Sequence, residues 1–442
     1  MTQRRWSVLA AAGFAGLLVC SVVGWRLGGL DHARWPRAWV YAGQWTAFVV
    51  GALAIRRVSG SRVVSLIVLG GALLQLLAVL WPPRTTDDFY RYLWDGRVQA
   101  HGIDPYRYAP IDPALTSLRD PWLFPGPGDH TLINHRAVPT IYPPVAQLYF
   151  LLVHLVPGER RLPLQLAAAL LAVATSMLLV VATRRTGVDP RAVVWWAWCP
   201  TVVLEAGNDA HVDVLGAFFC VAGLAVLAGR IGERSAGRSR AGLAAGALLG
   251  AAVGVKFLPG LLGPALARHR WRWALLGGAT AVLAGSYLPH LLAVGPRVFG
   301  FLPGYLAEER FSGADRYPLL GLLLPGPVAA VAGVAVIAAV ALAVWWRADP
   351  ARPVAGGVVL VGVTFCVLAP EYPWYALVLV VLAALADQAR WLAIAAAGWP
   401  AYLVGSLHLP IVGTRAVSYG TAALLVLAVW LIRRRVGTVT GC

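Results

Sequence analysis

Long apolar runs broken by short arginine clusters set the pattern of this chain. A helix needs about 20 predominantly apolar residues to cross a bilayer. Runs of that kind occupy 7–30, 38–55, 62–82, 163–183, 192–206, 212–229, 273–291, 318–346, 354–369, 374–389, 391–407 and 416–432. Each is predicted to be a spanning helix. Residues 241–267 read as a pair of short helices meeting near Lys256 and Pro259. The segment 143–157 opens with Pro143-Pro144 and is short for a span, so it either crosses, re-enters or lies at the interface. The pattern predicts an all-α polytopic membrane protein with about 12 to 14 transmembrane helices, forming a single integral membrane domain over 1–442.

Composition sharpens this picture. Apolar residues make up 59% and charged residues 13%, against roughly 25% charged in an ordinary globular domain. So little charge cannot cover so much apolar surface in water, which excludes a soluble enzyme and a disordered chain. The formal net charge is +17, yet it sits in clusters between apolar runs, which argues against nucleic acid. Five cysteines, Cys20, Cys199, Cys220, Cys366 and Cys442, show neither disulfide nor metal-type spacing. Arg4 and Arg5 before an apolar stretch mimic a signal peptide, but no small-residue cleavage site follows, and a first transmembrane helix is expected.

Arginine placement sets sidedness, because positive loops stay cytoplasmic. Clusters at Arg4/Arg5, Arg56/Arg57/Arg62, Arg184/Arg185/Arg191, Arg230/Arg234/Arg238/Arg240, Arg268/Arg270/Arg272, Arg347/Arg352, Arg390 and Arg433–Arg435 share one side if 241–267 crosses twice and 143–157 does not cross. Both termini are then cytoplasmic. The opposite face collects 83–142, 158–162, 207–211, 290–317, 370–374 and 408–415. The first of these is long for a loop, and loops of such length are usually functional.

That loop carries candidate chemistry. Asp87 and Asp88 follow an apolar span closely, where acidic groups are costly unless solvated, paired or functional. A solvated pair, or an Asp capping a helix that begins near Phe89, explains them equally well. The surrounding text is more specific: Tyr90-Arg91-Tyr92, Trp94-Asp95-Gly96-Arg97, Gly102-Ile103-Asp104-Pro105-Tyr106 and Tyr142-Pro143-Pro144. This string resembles the first large external loop of bacterial C-type glycosyltransferases, nearest the polyprenol-phosphate-mannose-dependent alpha-mannosyltransferases of actinobacteria. The stretch Glu205–Asp213 (EAGNDAHVD) resembles a further family motif, though in a different order from the usual Gly-His-Asn-Asp.

The resemblance implies a C-type glycosyltransferase fold with a long first external loop. It also implies transfer of a mannosyl or other hexosyl unit from a polyprenyl-phosphate sugar to a lipid-anchored glycan, inverting a beta-linked donor to an alpha product. Such a reaction needs a base for the acceptor hydroxyl and cations for the departing phosphate. Asp87 is the expected base, with Asp88 second. If the two share a site, mutual repulsion raises one pKa. Arg91, Arg97 and Lys256 are candidates for the phosphate, since guanidinium pairs with phosphate oxygens bidentately. Solvation, or pairing with Asp95 and Asp104, is the bland reading for the arginines. Asp95 is expected to hold Arg97 or the loop rather than to do chemistry.

Tyr90, Tyr92, Tyr142, His211 and Asp213 are expected to contact substrate. Asp209, His211 and Asp213 alternate, but three possible ligands in five residues are a weak metal signal and no metal site is predicted. Capping of 212–229 by Asn208 or Asp209 competes with a polar binding patch. Lys256, the only lysine, is either snorkelling or partnered inside. Surface solvation is favoured for Glu308, Glu309 and Arg310. The aromatic residues of Glu371-Tyr372-Pro373-Trp374-Tyr375 could stack a sugar or prenyl chain, and interfacial anchoring explains them as well. Walker, Gly-x-Gly-x-x-Gly, His-Glu-x-x-His and Gly-x-Ser-x-Gly motifs are absent. No cofactor is predicted beyond the lipid-linked donor, polyprenyl-phosphate mannose, and a divalent cation stays open. A transporter or flippase for lipid-linked sugars, and a ligase or polymerase using another donor such as polyprenyl-linked arabinose, remain open. The first would place ionisable groups nearer the bilayer midplane.

Overall fold

A computed structural model describes residues 2–30, 33–158, 161–229, 237–311 and 313–439. Arg230 and Arg234 of the expected basic loop, and Cys442, lie outside these. All regular structure among the described residues is helical. Helices Gln3–Arg26, Arg34–Ile55, Leu162–Thr186, Arg272–Glu308, Gly326–Arg347 and Ile411–Arg433 are long and apolar enough to cross a membrane, and the bent pair Pro200–Asn208 and Asp213–Ala228 makes up to seven. Shorter apolar helices, Val63–Val79, Pro144–His154, Ser239–Val255, Pro353–Leu368 and Pro373–Leu385, fall on or beside the other apolar segments of the sequence. Pro353–Leu368 stops early because Ala369 adopts a left-handed conformation before Pro370, ending the hydrogen-bond ladder.

The outward faces are apolar: Leu69, Leu170, Leu292 and Val331 stand exposed. In water such a belt would be an aggregation surface, whereas lipid tails cover it without cost. Inside, every residue of Leu377–Leu385 is buried. A helix apolar on all sides belongs in a core. Indole N–H groups within this core find backbone partners, Trp196 on the Ala172 carbonyl at 3.0 Å and Trp198 on that of Ile67 at 2.9 Å.

Helices Gly237–Val255 and Arg272–Val294 cross at glycine. A Cβ on Gly246 would sit 2.1 Å from the Leu275 carbonyl oxygen, and one on Gly278 2.1 Å from that of Leu243. Small residues let backbones approach where apolar burial gives helices no net attraction in lipid. Gly246→Leu is expected to destabilise the fold by about 1–3 kcal/mol through overpacking, read as a lower unfolding midpoint in detergent; an unchanged midpoint would contradict this crossing.

Polar contacts gather at two ends. At one, Arg56 pairs with Asp387 at 2.6 Å and Asp189 at 3.7 Å, Arg191 donates to the Val58 carbonyl, and Gln3 donates to that of Arg57. These segments all belong to the side expected to be cytoplasmic. At the other end lies the loop 83–142, which folds around helix Asp88–Ala100 with its own small core of Trp94, Val98, Leu115, Leu123, Phe124 and Ile133.

The segment 192–206 is not one straight span. It breaks into short helices, and Pro200–Asn208 meets Asp213–Ala228 at 116°. The break carries Ala210 in the left-handed region and a π-wound turn over Val203–Asn208. Irregular backbone at membrane depth persists only where protein buries it or a cavity meets it.

Candidate active site

Helix Asp88–Ala100 places the loop motifs. Its N-terminus is satisfied by Thr86, whose hydroxyl accepts from the Asp88 N–H at 3.1 Å, so neither aspartate caps the helix with its side chain. Both carboxylates stay free for other partners at a helix end that favours negative charge. Gly96 is required by contact: a Cβ there would meet the Phe150 carbonyl oxygen at 2.5 Å. The helix thereby lies close against Pro144–His154, and Asp95 reaches Gln147 at 3.0 Å.

The arginines of the motifs separate. Arg91 is buried, bonded to Asp95 at 3.0 Å and to the His135 and Val138 carbonyls. It borders the cavity described below with its donors already engaged. Arg97 points the other way, pairs with Asp120 at 2.6 Å and donates to the Leu118 carbonyl. Asp95 therefore holds Arg91, not Arg97, because the four-residue spacing puts it one turn along the same helix face. Asp104 pairs with His290 at 2.8 Å rather than with either arginine.

A cavity of about 910 Å³ opens beside Asp87 and Asp88. Asp88 is a hub. It accepts from Asn134 at 2.7 Å, Tyr142 at 3.2 Å and Tyr92 at 3.3 Å, and the His211 ring nitrogen Nδ1 lies 3.5 Å away. Asp87 accepts from the Asn134 side chain at 3.2 Å, its one side-chain donor among the described residues. Burial pushes the Asp88 carboxyl up, but the His211 hydrogen bond and charge, the Lys256 charge and the Asn134 bond together bring it down to about 2. Asp87 is raised, by burial first and then by repulsion from Asp88, with the Asn134 bond opposing. The two neighbouring carboxylates thus differ in proton affinity.

Lys256 follows helix Gly237–Val255 and enters the same cavity. Its Nζ lies 2.8 Å from Asp213 and 4.4 Å from the ring centre of Tyr375. His211 stacks on Trp374 at 3.8 Å. Tyr142, Tyr305, Trp374, Tyr375 and Tyr402 supply an aromatic wall, and Leu258, Leu261, Phe365 and Leu368 an apolar one. Tyr92 is buried beneath Asp88, stacked on Phe150. Tyr90 packs on Phe89 and Trp122 and does not line the cavity.

Three readings of the sequence need correction. Glu309 is not a solvated surface group: it pairs with the buried Arg316 at 2.6 Å in the cavity wall. Neither Asn208 nor Asp209 caps Asp213–Ala228. Asn208 instead donates to the Ala78, Trp81 and Pro82 carbonyls at and beyond the end of helix Val63–Val79, while Asp209 accepts from Thr85 and from the Arg84 N–H. Asp213 turns to Lys256, so the alternating trio does not converge. Sequence reasoning also missed Asn134, Arg316 and Arg415. Arg415 donates to the Leu368 and Ala369 carbonyls at the cavity edge. Asn134 lay inside the string INHRAVPTIYPPVAQ with no feature to single it out; only the folded loop sets it against both carboxylates.

Lipid-facing helices around an amphiphilic, acid-containing cavity define a multi-pass membrane protein. Residues 10–272 match the family model described as alpha-(1->6)-mannopyranosyltransferase, N-terminal domain. The match spans more than half of the chain, which belongs to this mannosyltransferase family. No curated protein and no solved structure matches the chain.

Proposed function

We propose that this protein transfers a mannosyl unit from a polyprenyl-phosphate sugar to a lipid-linked glycan at the extracytoplasmic membrane surface, with inversion and with Asp87 as general base. The observation that carries this reading is the pairing of unequal carboxylates with a cation across one cavity. Asp87 has one side-chain hydrogen-bond partner among the described residues and raised proton affinity, as a base requires. Asp88, saturated with donors, holds Asn134 and the tyrosines in place. Lys256 supplies positive charge for the departing phosphate. Arg91 adds charge at the wall; Arg97, turned away and paired with Asp120, takes no part. The aromatic and apolar walls suit a sugar and the first isoprene units.

In this mechanism the acceptor hydroxyl loses its proton to Asp87 as its oxygen attacks the anomeric carbon, and the sugar–phosphate bond breaks with the electron pair leaving on phosphate. A single displacement through an oxocarbenium-like transition state inverts the centre. The Lys256 charge in the same cavity favours the anionic leaving group. The arginine clusters at the opposite end support an extracytoplasmic site.

The test uses purified full-length protein in liposomes with radiolabelled polyprenyl-phosphate mannose and a lipid-linked mannoside acceptor. Label is expected in the acceptor in a form released by alpha-mannosidase. Transfer from GDP-mannose but not from the lipid donor, or movement of labelled lipid between leaflets without a new glycosidic bond, would refute the reading.

A further inference from the structure

We infer that Glu205, Asp209 and His211 form a buried divalent-cation site behind the catalytic cavity. One ligand atom from each residue lies within 4.8 Å of the other two. All three side chains are essentially inaccessible, at 1%, 0% and 0% exposure. The π-wound turn creates the cluster. It sets Glu205 beside the residues of the break, where the His211 N–H bonds to the Glu205 carbonyl at 2.8 Å and the Asp209 N–H to that of Leu204 at 2.9 Å. Such turns recur at functional sites.

A second observation is independent of the clustering. Glu205 Oε2 and His211 Nε2 are buried and make no hydrogen bond, although they lie 3.3 Å apart. A buried polar atom without a partner is costly, and a buried carboxylate without a cation more so. Among the described residues no Lys or Arg side chain pairs with Glu205 or Asp209; Lys256 is taken by Asp213. A cation between the three groups removes these penalties together. Closing the triangle to bond lengths of about 2.0–2.2 Å requires only small side-chain movements.

The other face of the imidazole fits the same assignment. His211 Nδ1 faces Asp88 Oδ2 and the Tyr92 hydroxyl, each at 3.5 Å. With Nε2 on a metal, Nδ1 carries the proton and donates to Asp88, the carboxylate–histidine–metal arrangement that fixes tautomer and ring orientation. The ring is clamped by stacking on Trp374, which lines the cavity. The ligand set, two carboxylates and one imidazole, suits Mn²⁺ or Zn²⁺ better than soft, thiolate-seeking ions. The ion touches neither sugar nor phosphate. It holds the hub carboxylate from behind.

The test is metal binding, read without activity. Tag-free full-length protein in detergent is stripped with EDTA and titrated with Mn²⁺, followed by electron paramagnetic resonance, with Zn²⁺ as competitor. One Mn²⁺ per chain is expected, displaced by Zn²⁺, with a rise in the unfolding midpoint. Glu205→Gln and Asp209→Asn are each expected to weaken binding at least tenfold, while Asp87→Asn leaves it unchanged. Absence of Mn²⁺ and Zn²⁺ binding to the folded wild-type protein at millimolar metal overturns the assignment whether or not the variants fold. Binding indifferent to both variants overturns it too. Failure here leaves mannosyl transfer standing, because the proposed base and phosphate partner lie outside the site.

Discussion

Asp87→Asn lowers the rate of mannosyl transfer by about 10²–10⁴-fold, the usual contribution of a positioned general base, with the thermal unfolding midpoint unchanged. The two halves of this expectation have separate causes. The amide keeps the shape of the side chain but cannot take the acceptor proton. Stability is spared because Asp87 sits at the cavity mouth and, among the described residues, takes a side-chain hydrogen bond from Asn134 alone. Asp88→Asn contrasts with it, since Asp88 gathers Asn134, Tyr92, Tyr142 and His211, and its loss disturbs several contacts at once. The pH profile gives a finer reading. A base works ionised, so kcat/KM falls as pH drops through the Asp87 pKa. Burial and Asp88 raise that pKa and the Asn134 bond lowers it. Asn134→Ala removes the lowering contribution and moves the acidic limb to higher pH. Full activity in Asp87→Asn, or a limb displaced to lower pH in Asn134→Ala, would remove Asp87 from this role.

The motifs that located the site in the sequence proved to be of two kinds. Trp94-Asp95-Gly96-Arg97 is architectural: Trp94 fills the loop core, Asp95 anchors Arg91, Gly96 permits helix contact and Arg97 grips Asp120. Its residue types resemble a phosphate site because charge-paired arginines and phosphate-binding arginines look alike in one dimension. Asp87, Asp88 and Tyr142 were legible because acids and tyrosines beside an apolar span have few inexpensive structural uses. The helices were legible wherever apolar runs were long. Residues 192–206 were not, because a run of that length reads as a span whether it is straight or broken, and nothing in EAGNDAHVD announces a π-wound turn. Arg316 and Arg415 escaped for a different reason. Arg415 sits far along the chain from Asp87 and Asp88, and only the folding of helix Ile411–Val439 brings it to the cavity, while Arg316 lies seven residues from its partner Glu309 in a loop where no motif marks either.

Lys256 carries the second large effect, and it can be separated from its structural duty. The ammonium group is the partner of the half-buried Asp213 and also faces the cavity between Tyr142 and Tyr375. Lys256→Gln leaves Asp213 without its cation, which costs about 1–3 kcal/mol of stability, and removes charge from the proposed phosphate position. The double variant Lys256→Gln with Asp213→Asn restores a neutral, hydrogen-bonded pair, so the unfolding midpoint is expected to return toward wild type. Donor binding is not expected to return with it. A charge-assisted contact to phosphate contributes about 1.5–3 kcal/mol, so KM for the lipid donor stays about 10- to 100-fold high in both variants, while KM for the acceptor changes little. If instead the double variant recovered the donor KM together with its stability, Lys256 would serve only to neutralise Asp213, and the departing phosphate would have to meet its positive charge elsewhere, with Arg316 and Arg415, which line the same cavity, the next groups to substitute.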